Sequence, residues 1–351
     1  MFLGRTSRSD WHGALSMVSL TMKSSRAFVR RTVCVFAGMS MAAAAWAATP
    51  DAASAVTTTN SDAKLSGDAN ALLPDTESFV IDATPNGPRY RIWLYHPASS
   101  VSGRPQPLLV LLDGNATFAL AVSAARLQAK LIGPVTIAAI AADNDALFDE
   151  SQRFRDFTTP ARDGWGVPND AQGKPLDTGG AQAFETFVNE TLPRAIEART
   201  QLAPRARMLF GHSLGGYFVL NDALAHPQAY SRYMAASPSI WWNGAELLAN
   251  VRASAQSSAG KNSHHAQARI PLAIRIGGDE QKLAPNAPPA RVERVTHAAM
   301  LDNARTFADL LHTTPALGFD ADLQIYAGQN HVSYLPAAIS EAVALAARSV
   351  P

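Results

Sequence analysis

From Ser78 onward the chain alternates short apolar runs with longer stretches of helical spacing. Pro107-Leu-Leu-Val-Leu-Leu112 is an unbroken apolar run ending at Asp113-Gly114-Asn115, and Val135–Ala142 is a second. Continuous runs of that length predict strands buried on both faces. Ser78–Ala83 and Tyr90–His96 flank Pro85-Asn86-Gly87-Pro88 and predict a hairpin. Arg207–Phe210, Met234–Ala236, Pro271–Ile276 and Leu323–Tyr326 predict further strands. Phe118–Lys130, Ala181–Arg199, Gly216–Ala225, His297–His312 and Pro336–Arg348 carry the helical period between them. Strands separated by helices imply an α/β fold, a mostly parallel sheet covered by helices on both faces. Two segments break the rhythm. Asp143–Thr178 is charged and aromatic enough to line a site as a lid, whereas Ala253–Ala268 reads as solvated filler.

The first 47 residues have another logic. Lys23, Arg26, Arg30 and Arg31 precede an apolar stretch from Thr32 to Ala44, and Ala45-Trp46-Ala47 has the small-x-small form of a cleavage site. That order is a secretory signal peptide, which places the mature protein in the periplasm with no stable membrane insertion once the signal is removed. Residues 48–77 are Ala, Thr, Ser and Asp rich without apolar period and read as a flexible linker. Residues 78–351 are then the folded domain, and although 351 residues would allow two domains, one α/β domain accounts for the pattern.

Composition narrows the function. Lys+Arg 30 against Asp+Glu 29 offers no basic excess for a nucleic-acid partner. Taking away the six Lys/Arg and one Asp of residues 1–47 leaves 24 basic and 28 acidic side chains. The same cut removes Cys34, the chain's single cysteine, so neither a disulfide framework nor a thiolate zinc site is available.

The chemistry centres on Phe210-Gly211-His212-Ser213-Leu214-Gly215-Gly216. A Gly-x-Ser-x-Gly between a strand and a helix forms a nucleophile elbow, with the serine hydroxyl held above the carboxyl edge of the sheet. A serine at its ordinary pKa needs a base, and the base needs an orienting acid. In this chain order the acid follows the serine and the histidine comes last. Of nine histidines, His12 leaves with the signal, His96 precedes the serine and His212 sits in the elbow. His226 ends the elbow helix as a partner for its last carbonyls, His264 and His265 fall in the filler, and His297 and His312 belong to a helix. His331, in Gly328-Gln-Asn-His331 after the strand Leu323–Tyr326, is the base. The acid should leave Pro271–Ile276, which ends Gly277-Gly-Asp279-Glu280-Gln281, and spacing does not choose between Asp279 and Glu280. For the oxyanion, one N–H is expected from Leu214 and a second from Gly114 or Asn115. Such chemistry is complete within side chains and calls for no metal and no organic cofactor.

Five blocks, Leu111-Leu-Asp-Gly-Asn115, Gly211-His-Ser-Leu-Gly-Gly216, Ser237-Pro-Ser-Ile-Trp-Trp242, Gly277-Gly-Asp-Glu-Gln281 and Asn330-His331, occur in the order of the esterase branch of the α/β-hydrolases. Arg153-Phe-Arg-Asp-Phe-Thr-Thr-Pro160 and Gly179-Gly-Ala-Gln-Ala-Phe184 fit as well. Within that branch the chain most resembles periplasmic esterases that open catecholate siderophore trilactones of the enterobactin and salmochelin type. The resemblance covers roughly residues 78–348. It implies a single α/β-hydrolase domain with Ser213 as nucleophile, His331 as base and Glu280 as the better match to the acid. It also implies a small-molecule ester substrate, with a ferric catecholate siderophore, whose iron belongs to the ligand, among the candidates. Trp241 and Trp242 become candidates for the acyl pocket, and Arg153 and Arg155 for contact with an anionic substrate. The competing expectations are a general acyl or feruloyl esterase, an acyltransferase on the same machinery, and a periplasmic binding protein without turnover.

Overall fold

The computed structural model describes residues 73–85, 87–97, 106–201, 206–258 and 268–348. The expected signal peptide, residues 48–72 of the expected linker, Asn86 of the hairpin turn and 259–267 of the second irregular segment lie outside the described residues.

All eight expected strands are present in one sheet: β1 Thr76–Asp82, β2 Arg89–Tyr95, β3 Leu108–Leu111, β4 Thr136–Ala142, β5 Arg207–His212, β6 Arg232–Ala236, β7 Ile270–Gly277 and β8 Phe319–Tyr326. Their spatial order is β1-β2-β4-β3-β5-β6-β7-β8. β1 and β2 form an antiparallel hairpin, β2 runs antiparallel to β4, and every pairing from β4 to β8 is parallel. β1 begins inside the stretch expected as linker, because Thr76 and Glu77 already pair with Tyr95 and Leu94.

The unbroken apolar strands feed two cores. Leu108, Val110, Leu209, Tyr233, Leu272 and Ile274 face a cluster built with α5 Leu214–Ala225, α6 Trp242–Ser258 and α8 Met300–Thr313. Leu109, Leu111, Met208, Phe210 and Met234 face the other side, under α1 Gly114–Ile132 and α9 Leu335–Ala347. Successive strand residues point to opposite faces, so a strand covered on both must be apolar at every position, as β3 is.

Four helical segments depart from the sequence expectation. α2, Glu150–Phe157, lies inside the expected lid; its residues are mostly polar, and it starts because the Asp149 side chain accepts from Gln152 N–H at 2.7 Å. Ala181–Arg199 is three pieces, α3 Ala181–Thr186, a π turn Phe187–Thr191 and α4 Leu192–Thr200. Pro193 supplies no N–H and its ring crowds the carbonyl four residues back, at Asn189, so the backbone widens there. The Asn189 carbonyl accepts from Arg207 Nη1 instead, at 3.4 Å. The expected helix over His297–His312 is two, α7 Pro289–Ala298 and α8, broken where Ala299 turns left-handed at φ 39° and ψ 44°. α6 runs through Ser258, so the first residues of the expected filler are helical.

Register then sets the stage for chemistry. Leu111 pairs with Phe210, and His212 with Ala236, so the turns after β3, β5 and β6 leave the sheet side by side. Gly277 pairs with Tyr326, which brings the turns after β7 and β8 together at the same carboxyl edge. That edge is where open α/β sheets carry their ligands. No helix among the described residues is long and apolar enough to cross a membrane.

Candidate active site

Ser213 sits between β5 and α5 at φ 60° and ψ −118°, a backbone conformation strained for any residue with a side chain. Its N–H donates to Ala236 O at 2.9 Å, and its own carbonyl accepts from Tyr217 and Ser239 N–H. The elbow is too tight for a side chain at Gly211, where a Cβ would fall on the Gly215 carbonyl. Gly216 is held as firmly, since a Cβ there would lie 2.8 Å from Ala236 O. Gly215, the second glycine of the motif, is less constrained, with its nearest neighbour, Asp113 Oδ2, 3.4 Å from a Cβ.

At the neighbouring turns, His331 Nδ1 lies 2.7 Å from Glu280 Oε2. The carboxylate can only accept, so Nδ1 carries the proton and Nε2 is left as the acceptor nitrogen. Glu280 is 1% exposed at its side chain, against 38% for His331. Its other oxygen accepts from Gly277 N–H at 2.8 Å and from the Ser237 hydroxyl, which also pairs with Tyr334. Asp279, one residue earlier, points to solvent, 3.4 Å from Lys282 Nζ. The structure therefore brings Glu280 to His331 and leaves Asp279 apart. Glu280 reaches back because Gly277–Glu280 closes a turn, with Glu280 N–H donating to Gly277 O.

His212 is a constituent that elimination by sequence passed over. Its Nε2 lies 2.7 Å from the backbone carbonyl of His331, which makes Nε2–H the donor and fixes the carbonyl next to the base. Burial, with the nearby His331 ring and the Arg153 charge adding to it, pushes His212 down to about 3, so it stays neutral as that donor. The two imidazole rings stand 4.6 Å apart. The motif carried the signal only as an unassigned x before the serine.

Leu214 N–H opens α5 and has no acceptor four residues back within that helix. On the other side of the elbow, Asp113 turns left-handed at φ 53° into Gly114 and α1. The Asn115 side chain is engaged elsewhere: its Nδ2 donates to the carbonyls of Asn144 and Ala146, and its Oδ1 accepts from Trp93 Nε1. Only the backbone N–H of Gly114 or Asn115 is left to serve an oxyanion, which is what the elbow logic asks for.

Arg153 is turned inward, 13% exposed at its side chain. It leaves α2 for a buried pocket, where Nε donates to Asp113 Oδ1 at 3.0 Å and Nη2 to His212 O at 3.1 Å, with its guanidinium over the Phe148 ring. It is a strut between the oxyanion loop and the elbow. Arg155 pairs bidentately with Asp156 at 2.6 and 2.8 Å, and Asp156 in turn accepts from Tyr90 Oη. Trp242 is wholly buried among Phe154 and Trp165, its Nε1 donating to Thr159 Oγ1 at 3.0 Å, and belongs to the core rather than to an acyl pocket.

Ser213, Glu280 and His331 open on one cavity of about 380 Å³, with Ser239, Trp241, Arg294, Val295, His297, Ala298 and Met300 on its walls. The Ser213 hydroxyl is 3.3 Å from Ser239 Oγ, also on that wall. Of the aromatic and cationic candidates, Trp241 is the one on the cavity. The remaining wall comes from α7 and the start of α8; the sequence predicted a helix only from His297 onward, so Arg294 and Val295 had no element assigned. Trp165, from the expected lid, stacks on Trp241 at 6.4 Å and on His297 at 5.5 Å, so the lid buttresses the wall from behind.

Comparison with known proteins bears on the fold and the family. The family described as Putative esterase matches residues 85–334. The ferri-bacillibactin esterase BesA of Bacillus subtilis is 29% identical over 287 residues, 80% of this chain and 92% of that protein. The siderophore triacetylfusarinine C esterase of Aspergillus fumigatus is 29% identical over 293 residues, 78% of this chain and 93% of that protein. Among solved structures, the siderophore hydrolase EstB of Aspergillus nidulans superposes with a TM-score of 0.66 at 25% identity, over 78% of this chain and 95% of that one. With its elbow, its parallel sheet and a family match across most of its length, the chain belongs to the Putative esterase family and is an esterase of the α/β-hydrolase fold.

Proposed function

We propose that this esterase hydrolyses siderophore esters, catecholate trilactones first among them, through an acyl-enzyme on Ser213. The observation that carries the reading is the convergence of Ser213, His331 and Glu280 on one cavity walled by Trp241, Val295 and Met300 and edged by Arg294. An aromatic acyl group finds apolar walls there, and an anionic ligand finds a cation, Arg294 taking the part expected of Arg153 and Arg155.

In this reading Ser213 Oγ attacks the ester carbonyl as His331 Nε2 takes its proton. Glu280 holds Nδ1–H and stabilises the imidazolium that forms. Leu214 N–H and a backbone N–H of Gly114 or Asn115 receive the tetrahedral oxyanion. His331 gives its proton to the leaving alkoxide, leaving the acyl group on Ser213; it then takes a proton from the water that attacks the acyl carbonyl and returns it to Ser213 Oγ as the acid departs. The relatives named as bacillibactin and triacetylfusarinine C esterases support a siderophore substrate for this chain.

The test is hydrolysis of a catecholate trilactone, with and without iron, by the purified protein and by Ser213→Ala. Opening to linear products that depends on Ser213 and far outpaces nitrophenyl acetate by kcat/KM is the expected result. Cleavage of simple esters with the trilactone untouched would leave a general acyl esterase, and no reaction of Ser213 with a fluorophosphonate would leave a binding protein.

Export belongs to the same proposal: residues 1–47 act as signal peptide and 48–75, up to the start of β1, as linker, which delivers the domain to the periplasm. Support comes from the order of cationic, apolar and small residues before Ala48. N-terminal sequencing of the protein from a periplasmic fraction should begin at Ala48, and an intact residue 1 in the cytoplasmic fraction alone would refute it.

A further inference from the structure

The far end of the elbow helix carries a second group of side chains. α5 begins at the nucleophile and ends, 12 residues on, at Ala225, about 18 Å away at 1.5 Å per residue. Asp222 and His226 lie four apart at that end and so share a face, while Glu185 of α3 approaches from across the interface. One ligand atom from each of Glu185, Asp222 and His226 falls within 4.8 Å of the others.

Two features separate this group from a chance cluster of acids. It is buried where it is charged: Asp222 has no exposure and Glu185 is 6% exposed, whereas His226 opens on a cavity of about 320 Å³ with Glu185 and Asn189. It is also short of donors. Asp222 Oδ1 accepts from Asn189 Nδ2 at 2.7 Å, but Asp222 Oδ2 and Asn189 Oδ1 are buried with no hydrogen-bond partner. Both are acceptors. Two buried acceptors left without a donor at one place are unusual in a folded protein; burial pushes Asp222 up to about 7, and a proton or a metal ion placed there would satisfy both. Glu185 is better served, by Asn221 Nδ2 at 3.0 Å and His226 Nε2 at 3.3 Å.

We propose that Glu185, Asp222 and His226 bind one divalent transition cation, with Asn189 Oδ1 beside them. The donor set of one imidazole and two carboxylates suits Zn²⁺, which takes nitrogen and oxygen ligands at about 2.0–2.2 Å. The 3.3 Å between His226 Nε2 and Glu185 Oε2 is close to a tetrahedral edge at that radius, about 3.4 Å. The site also lies at the carbonyl end of α5, where the helix dipole favours positive charge. Its role is structural, tying α3 and the π turn to the helix that presents Ser213. The cation takes no part in the ester chemistry, so the inference stands or falls apart from the proposed substrate.

The test uses the full protein stripped with EDTA and titrated calorimetrically with Zn²⁺. One saturable equivalent per chain is expected, with a thermal midpoint raised by roughly 5–10 °C at a hundredfold excess over Kd. Co²⁺ in place of Zn²⁺ should give the visible d–d bands of a low-coordinate nitrogen and oxygen site. His226→Gln, at a half-exposed position that the core does not need, should weaken Zn²⁺ at least tenfold and abolish both the shift and the bands, and Glu185→Gln should do the same. Absence of saturable binding would overturn the site, as would binding of unchanged affinity in both variants.

Discussion

Glu280 and Asp279 are adjacent acids that the structure treats in opposite ways, and the difference is measurable. Glu280 accepts from Ser237, Gly277 and His331 in a dry pocket, whereas Asp279 meets only Lys282 in solvent. Glu280→Gln removes the charge that stabilises the imidazolium and should lower kcat by about 10²–10⁴, the range for neutralising a triad acid. Asp279→Asn should stay within about twofold, since an exposed pair contributes little; a larger loss there than at Glu280 would reverse the assignment. His212 adds a pH signature. Its pKa falls from an unfolded 6.5 to about 3 in the fold, so between those values the unfolded chain binds the extra proton. Stability from this group is full above 6.5 and drains as pH drops toward 3, with a slope of at most about 1.4 kcal/mol per pH unit. His212→Asn should flatten that acid limb in urea unfolding measured from pH 4 to 7; an unchanged slope would mean His212 is charged when buried. At this scale the sequence made His331 legible because every other histidine had a place in the pattern. Glu280 was not separable from Asp279, because a turn rather than a periodicity decides which carboxylate folds back. Arg153 was misread for a related reason: its partner Asp113 lies 40 residues upstream, and charge in a sequence looks like charge for solvent or ligand until the partner is known.

At the scale of elements, the inner strands were readable because continuous apolar runs have one comfortable home, the middle of a covered sheet, and β1 and β2 because they flank a Pro-Asn-Gly-Pro turn. Helix ends and breaks were less readable. The left-handed turn at Ala299 that separates α7 from α8 falls in a stretch whose apolar period continues through it, and with it α7's part in the cavity wall stayed hidden. Ala181–Arg199 was read as one helix straight through Pro193, whose effect is the π turn before it rather than an end to the helix. The elbow itself supports a sharper expectation than the motif. Gly211→Ala would drive a Cβ into the Gly215 carbonyl, so the backbone carrying Ser213 must shift. That should cost at least a hundredfold in kcat, since misplacing a catalytic group by about 1 Å has that effect. Gly215→Ala places its Cβ no nearer than 3.4 Å to Asp113 and should retain activity within about tenfold, with fluorophosphonate labelling of Ser213 reporting both variants. Equal damage from the two would mean that the strain lies in the helix start rather than in the strand-to-turn contact.

For the molecule as a whole, the site depends on holding the last strand and helix against the sheet, because His331 follows β8 and α9 follows His331. One side chain in the interior does much of that fastening. Arg275 of β7 is 2% exposed, and its guanidinium bonds Glu341 of α9 at 2.6 and 2.9 Å and Asp322 of β8 at 2.7 Å. Its backbone carbonyl accepts from Ser237 N–H and Tyr334 Oη, the groups that surround Glu280. Arg275→Met leaves the carbonyl in place but strands Glu341, whose remaining partner is Tyr326 Oη. Breaking one side of a fully buried pair costs about 3–5 kcal/mol, and less here because Glu341 is a quarter exposed, whereas replacing both partners by apolar groups is close to neutral. Arg275→Met alone should therefore lower the urea midpoint sharply, and Arg275→Met with Glu341→Leu should recover most of the loss. Asp322 is largely solvated and needs no compensation. If the double variant is no better than the single, the guanidinium fastens β8 through Asp322 rather than α9 through Glu341. Removing Asp322 alone would then show the larger loss, along with weakened labelling of Ser213 as His331 drifts from the edge.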